Sequence, residues 1–83
     1  MKVLIVDDHP VVRRGVRQIL VDEFDDCQVV EAHNARELMQ LVSEQEWDIV
    51  LLDISLPDRN GLDVLKDLRV EHPELPVVIL SIH

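Results

Sequence analysis

The chain has 83 residues and a formal net charge of −9, with 17 acidic against 8 basic side chains. This length limits it to one domain, and the negative charge disfavours direct contact with nucleic acid while favouring divalent cations wherever acids converge. No apolar run approaches the ~20 residues of a transmembrane helix, and the single cysteine excludes an internal disulfide, so we expect a cytoplasmic protein with no membrane partner.

The first half of the chain alternates between strand and helix patterns. Lys2–Val6 is a short β-branched run that predicts a strand. Helical spacing of apolar residues follows from about Pro10 to Phe24 and predicts a first helix, with Val12, Val16, Ile19, Leu20 and Phe24 at that spacing. Cys27–Ala32 predicts a second strand. Asn34 followed by Glu37 resembles a capping box and predicts the start of a second helix.

The second half repeats this alternation. Asp48–Leu52 predicts a third strand, which leads into the turn-forming stretch "SLPDRNG". Leucines at helical spacing then predict a third helix that stops near His72, before a proline. The stretch "VVILS", Val77 to Ser81, predicts a fourth strand.

Alternating strands and helices indicate the α/β class with a parallel sheet. The continuously apolar strands "VLIV", "IVLL" and "VVIL" agree, because parallel strands carry helices on both faces. Right-handed crossovers cover both faces only if the chain reverses its winding direction, which creates a crevice at the carboxyl ends of neighbouring strands. We therefore predict a doubly wound parallel sheet.

Polar side chains follow three of these apolar strands at the point where each one stops. They are Asp7 and Asp8, Asp53, and Ser81. If the first and third strands are neighbours, the three aspartates converge. Three carboxylates in one crevice repel one another when all of them are ionised and no cation is present. Bound Mg²⁺ resolves this repulsion because it takes carboxylate and carbonyl oxygens. Asp53 could then act as a nucleophile that forms an aspartyl-phosphate.

Structural explanations compete with this one. A single aspartate at a strand end is often a turn former or a helix cap, and Asp8 fits that interpretation as well as a metal-ligand one. Asp58 and Asn60 are interpreted as loop residues only. The histidines show no spacing that suggests a metal pair, and Trp47 is interpreted as a packing residue.

The stretches "LIVDDHPVVRRGVRQIL" and "DIVLLDISLPDRNGLDVLKDLR" resemble the receiver domain of bacterial two-component response regulators, most closely the subfamily with a LuxR-type helix-turn-helix output domain. The resemblance implies a flavodoxin-like fold. It also implies that Asp53 receives a phosphoryl group from a sensor histidine kinase, that Asp7 and Asp8 hold Mg²⁺, and that the Ser55 carbonyl joins them. Ser81 matches the hydroxyl residue that signals activation.

Receivers of this family run on beyond the fourth strand. The resemblance therefore implies that residues 1–83 are the amino-terminal part of a receiver domain, ordered β1-α1-β2-α2-β3-α3-β4. Strand 5 with its lysine, helices 4 and 5 and the DNA-binding output domain are not in these residues, so this fragment is expected to make no direct nucleic-acid contact. A homodimer is a further partner that the family suggests.

Two other functions stay open at this stage. One is an aspartate-nucleophile phosphohydrolase on a similar fold, although "DIS" lacks the second aspartate that such enzymes carry two places after the nucleophile. The other is an interaction module that is never phosphorylated.

Overall fold

The structure is a computed structural model that describes residues 1–80. Its seven elements are β1 (Lys2–Val6), α1 (Pro10–Glu23), β2 (Gln28–Ala32), α2 (Ala35–Glu44), β3 (Ile49–Asp53), α3 (Gly61–Glu71) and β4 (Val77–Leu80). The predicted order of elements is confirmed. Several ends differ by one residue, and the shift at β3 matters most, because Asp53 is the last residue of the strand and pairs with Leu80 of β4. The predicted strand residue Ser81 lies outside the described residues.

The four strands form one parallel sheet in the order β2-β1-β3-β4. The chain therefore moves outward from β1 to β2, then returns across β1 to β3. Right-handed crossovers place α1 on one face of the sheet and α2 and α3 on the other. This confirms the predicted doubly wound arrangement and makes the carboxyl ends of β1 and β3 direct neighbours.

The larger core lies between the sheet and the helices α2 and α3. Its fully buried side chains come from alternate positions of the strands and from one stripe of each helix, and they include Leu4, Val6, Leu38, Val50, Leu52, Val64 and Leu68. Trp47 is buried at the end of this core nearest the amino ends of the strands, and its Nε1 donates to the carbonyl of Leu41 at 3.0 Å. The predicted packing role of Trp47 is confirmed.

The opposite face of the sheet is covered less completely. Ile19 and Phe24 are 62% and 49% exposed, and on β4 Val78 is 46% exposed. Helix α1 contacts β1 and β2, so it shields the two strands on that side of the sheet. Helical periodicity finds the apolar stripe of α1, but it does not tell how much of that stripe the sheet covers. Within residues 1–80, no helix is long and apolar enough to cross a membrane.

Candidate functional site

Three carboxylates meet at the carboxyl end of the sheet. Asp7 and Asp8 directly follow β1, and Asp53 ends β3, which pairs with β1. Ligand atoms of these three residues and of His9 all lie within 4.8 Å of one another. Asp7 is fully buried and Asp53 is 3% exposed, so two of the charges have lost most of their water. The strand ends thus bring together the side chains that the sequence singled out.

Asp7 is the least compensated group of the cluster. Its Oδ1 accepts from the His9 backbone N–H at 2.7 Å and lies 2.9 Å from the His9 ring nitrogen Nδ1. Its Oδ2 is buried and has no hydrogen-bond partner among residues 1–80. A buried carboxylate oxygen without a partner is costly, and a bound cation would satisfy it. The donor set of carboxylate oxygens therefore fits a hard divalent ion such as Mg²⁺.

His9 belongs to this cluster, which sequence reasoning missed. Its Nδ1 also lies 2.9 Å from Asp8 Oδ1 and 3.7 Å from Asp53 Oδ2. The hydrogen bond to Asp7 and the nearby charge of Asp8 raise the pKa of His9 above its ordinary value. A search for pairs of histidines could not find this residue. The available signal was its position between an acidic pair and a proline that begins a helix, because that position holds the ring at the strand end.

Asp53 presents one oxygen to the chain and the other to the cluster. Its Oδ1 accepts from the Ser55 backbone N–H at 3.1 Å, while Oδ2 lies on the His9 side. Ser55 pairs with Asn60 in an isolated antiparallel bridge, so the residues after Asp53 turn back sharply. The predicted hydroxyl residue Ser81 lies outside the described residues.

The turn after β3 closes tightly at Gly61. The Gly61 N–H donates to the Ile54 carbonyl at 2.8 Å, and a Cβ at position 61 would lie 2.5 Å from Ile54 Cα. Only glycine permits this approach. The loop 54–61 is therefore a compact closed turn that returns the chain to the sheet edge at the start of α3.

Two residues of this loop do more than the sequence interpretation assigned to them. The side chain of Asn60 accepts from the Leu62 N–H at 2.8 Å and caps α3. The carboxylate of Asp58 accepts from the N–H groups of Ala35 and Arg36 and so caps α2, a helix that begins 23 residues earlier. The interpretation as loop residues only was wrong. The cap from Asn60 is local, whereas the cap that Asp58 provides from a distant loop leaves no local pattern.

A buried arginine supports the same edge from the side of α1. Arg13 is 7% exposed, its Nη1 donates to the Asp7 carbonyl, and its Nε donates to Glu31 Oε1 at 3.1 Å. Arg17 binds the second oxygen of Glu31 at 3.0 Å. Burial alone would raise the pKa of Glu31, but the hydrogen bonds from Arg17 and Arg13 outweigh it and hold that pKa below its ordinary value. These contacts join the ends of β1 and β2 through α1.

A groove of about 690 Å³ lies elsewhere, at the amino end of the sheet between the end of α2 and the segment before β4. Its wall includes the exposed acids Glu44, Glu46 and Glu74. Among residues 1–80, the charged side chains that line it are all exposed. Hydrated surface acids need no ligand, so we place the candidate site at the carboxyl end, where the acids are buried.

Comparison with known proteins shows which family this sequence resembles. The sequence profile of the family described as response regulator receiver domain matches residues 3–83. Transcriptional regulatory protein YdfI of Bacillus subtilis (strain 168) is 40% identical over 81 residues, which cover 96% of this chain and 37% of YdfI. The chain spans 35% to 39% of the length of YdfI and of seven other curated relatives that it matches.

Solved structures agree on the fold. Response regulator TrrA from Thermotoga maritima, in complex with Mg²⁺ and BeF, has a TM-score of 0.91 and 27% identity over 99% of this chain and 70% of that chain. RcsB from Salmonella enterica serovar Typhimurium, bound to a promoter in the presence of the phosphomimetic BeF₃⁻, has a TM-score of 0.87 and 27% identity over 98% of this chain and 42% of that chain. The flavodoxin-like fold expected from the sequence is confirmed.

Proposed function

The chain belongs to the response regulator receiver domain family, with LuxR-type regulators among its relatives, and from that membership we propose that it accepts a phosphoryl group on Asp53. Receiver domains are signalling domains of two-component systems. The observation that carries the proposal is the unpartnered buried oxygen of Asp7 beside the buried carboxylate of Asp53. A purely structural cluster would be expected to pair that oxygen.

Three carboxylates would hold the metal ion that this chemistry needs. Asp7, Asp8 and Asp53 supply oxygens within one small volume, and the backbone carbonyl of Ser55 is proposed as a further ligand. When bound, Mg²⁺ supplies positive charge that neutralises phosphoryl oxygens. The TrrA complex with Mg²⁺ and BeF supports this assignment by similarity.

Asp53 is the proposed nucleophile. The Ser55 N–H fixes Oδ1, which leaves Oδ2 facing the cluster and the incoming group. Oδ2 attacks the phosphorus of a phosphohistidine on the sensor kinase, the new P–O bond forms as the P–N bond breaks, and the imidazole leaves with the bonding electron pair. The product is an acyl phosphate on Asp53, and Ser81 is proposed to donate its hydroxyl to that group.

The proposed output is control of transcription. RcsB binds promoter DNA, and YdfI is a transcriptional regulatory protein, but this chain spans less than two fifths of YdfI. Its own net charge of −9 opposes direct contact with DNA phosphates. DNA binding is therefore assigned to an output domain outside these residues, and phosphorylation is proposed to act on it through the carboxyl edge of the sheet or through homodimer formation.

The test is phosphorylation of the full-length protein with a small phosphodonor and Mg²⁺, followed by mass analysis. We expect one acid-labile phosphoryl group per chain on Asp53, none in Asp53→Asn, and none when the metal is chelated. Repeated turnover of a phosphate ester would instead indicate a phosphohydrolase. Wild-type protein that stays unmodified in the presence of Mg²⁺ would support an interaction module that is never phosphorylated.

A further inference from the structure

We propose that Asp58 is a positioning residue for the metal site, because its carboxylate fastens the loop after Asp53 to the amino terminus of α2. This inference rests on the proposed function and extends it to a residue outside the carboxylate cluster. Asp58 Oδ1 accepts from the Ala35 N–H at 2.9 Å, and Oδ2 accepts from the Arg36 N–H at 3.1 Å. Each oxygen of one carboxylate thus binds a different N–H of the same helix turn, which fixes both its position and its rotation.

The loop that Asp58 fastens is the one that carries Ser55. A bridge between Ser55 and Asn60 and the close contact of Gly61 with Ile54 make residues 54–61 a single closed unit. A displacement at the tip of such a unit is transmitted to its base rather than absorbed along the chain. The position of the Ser55 backbone relative to Asp53 therefore depends on what holds the tip.

The tip of the loop, residues 58 and 59, contacts two helices. Asp58 binds α2, and the neighbouring Arg59 binds Asp67 of α3 at 2.7 Å. The Arg59–Asp67 pair joins two exposed side chains and contributes little stability. The Asp58 carboxylate instead binds two backbone N–H groups of α2, and the hydrogen bond from Ala35, followed by that from Arg36, holds the pKa of Asp58 below its ordinary value. Helix dipoles favour such a charge at an N-terminus.

A simple capping role predicts a different outcome from a positioning role. Helix α2 has another cap acceptor, Asn34, whose side chain accepts from the Glu37 N–H at 2.8 Å. Asn34 lies between β2 and α2 and is not part of the loop 54–61. Loss of either acceptor weakens the same helix end. Only loss of Asp58 releases the loop.

The experiment compares Mg²⁺ binding by calorimetry in the full-length wild type, Asp58→Ala, Asp58→Asn and Asn34→Ala. We expect Asp58→Ala to weaken Mg²⁺ binding about tenfold, whereas Asn34→Ala binds Mg²⁺ like the wild type despite a comparable fall in thermal stability. Asp58→Asn keeps one acceptor oxygen in place and should recover part of the lost affinity. Amide hydrogen exchange in residues 54–61 should accelerate in Asp58→Ala and stay unchanged in Asn34→Ala.

Two results would overturn the inference, and they are distinguishable. Equal Mg²⁺ affinity in Asp58→Ala and Asn34→Ala, with a wild type that binds the ion, would reduce Asp58 to an ordinary helix cap and leave the proposed function intact. A wild type that binds no Mg²⁺ would overturn the proposed function and this inference together.

Discussion

Acidic side chains gather at both ends of the parallel sheet, and the two groups differ in burial and in partners. At the amino end, Asp26 and Asp48 are exposed, and Asp48 Oδ2 accepts from the Lys2 N–H at 2.6 Å. At the carboxyl end, Asp7 and Asp53 are buried. Within residues 1–80, the ion-pair partner of this second group is the half-exposed ring of His9. The comparison teaches that burial, and not acidity, marks the site.

The physical reason is the difference in solvation. An exposed carboxylate keeps most of its water, so the acids of the amino end are stable without any ion. A buried carboxylate must replace that water with hydrogen bonds or with a cation. Asp7 has done so for only one of its two oxygens. The buried carboxylates of the carboxyl end therefore need a bound cation to compensate their lost hydration, whereas the exposed carboxylates of the amino end do not.

Replacing Asp7 gives the largest expected effect, because it acts on the least compensated group. We expect Asp7→Asn to weaken Mg²⁺ binding by about 100-fold, because loss of a direct ligand should match the upper end of the 10–100-fold range seen when the outer hydrogen-bond partners of ligands are lost. In the absence of metal the same variant should be more stable by about 1–3 kcal/mol, because a buried charge is removed while the His9 N–H keeps an acceptor. Urea unfolding with and without Mg²⁺ measures both quantities.

The matched substitution at the other end is Asp48→Asn. It should leave Mg²⁺ affinity unchanged and alter stability by less than about 0.5 kcal/mol, because this carboxylate is exposed. If the two variants changed Mg²⁺ affinity alike, the distinction between the two ends would be lost.

A smaller effect is expected at Glu31, which helps Arg13 to support the carboxyl end. Its folded pKa is lowered, so its stabilising contribution is fully present above its ordinary pKa and disappears as the pH falls through the lowered value. Glu31→Gln should cost about 1 kcal/mol at neutral pH, given its partial exposure. The difference from wild type should shrink towards zero in acid, and chemical unfolding between pH 7 and pH 2 or so measures it. A difference that is constant with pH would indicate lost packing instead of lost charge.

A smaller effect than at Glu31 is expected at Lys2, on the amino end. Its ammonium lies 4.8 Å from the centre of the Trp47 ring and donates to Gln45. Lys2→Met should change stability by about 0.5–1 kcal/mol and change Trp47 fluorescence, while Mg²⁺ affinity stays as in wild type. A large loss of Mg²⁺ binding in this variant would show that the two ends are coupled through the sheet.

The sequence predicts the features of the molecule that follow from local patterns and from the geometry of parallel sheets. The convergence of Asp7, Asp8 and Asp53 follows from short apolar runs that end in acids, because parallel strands place all their carboxyl ends on one edge. Local periodicity also gives the order of helices and strands. Both inferences use only neighbouring residues and the general geometry of parallel sheets.

The misses involve contacts between residues far apart in the chain. The acceptor cap that Asp58 provides for α2 and the part-buried ion pair between Arg13 and Glu31 depend on how distant segments pack, for which a single sequence carries no periodic signal. The exposure of Ile19 on α1 has the same cause, since the sheet decides which part of a helix is covered. Contacts of this kind are set by tertiary packing and not by the local sequence pattern.

The most direct test of the account is a diffraction experiment on crystals of the protein grown with Mn²⁺ in place of Mg²⁺, read from the anomalous difference map. We expect one strong peak at the carboxyl end, bonded to an oxygen of Asp53 and within reach of Asp7 and Asp8, with no peak near Asp26 or Asp48. A map without a peak at the carboxyl end, or with its strongest peak at the amino end, would contradict the claim that the buried carboxylates are arranged to hold a divalent ion.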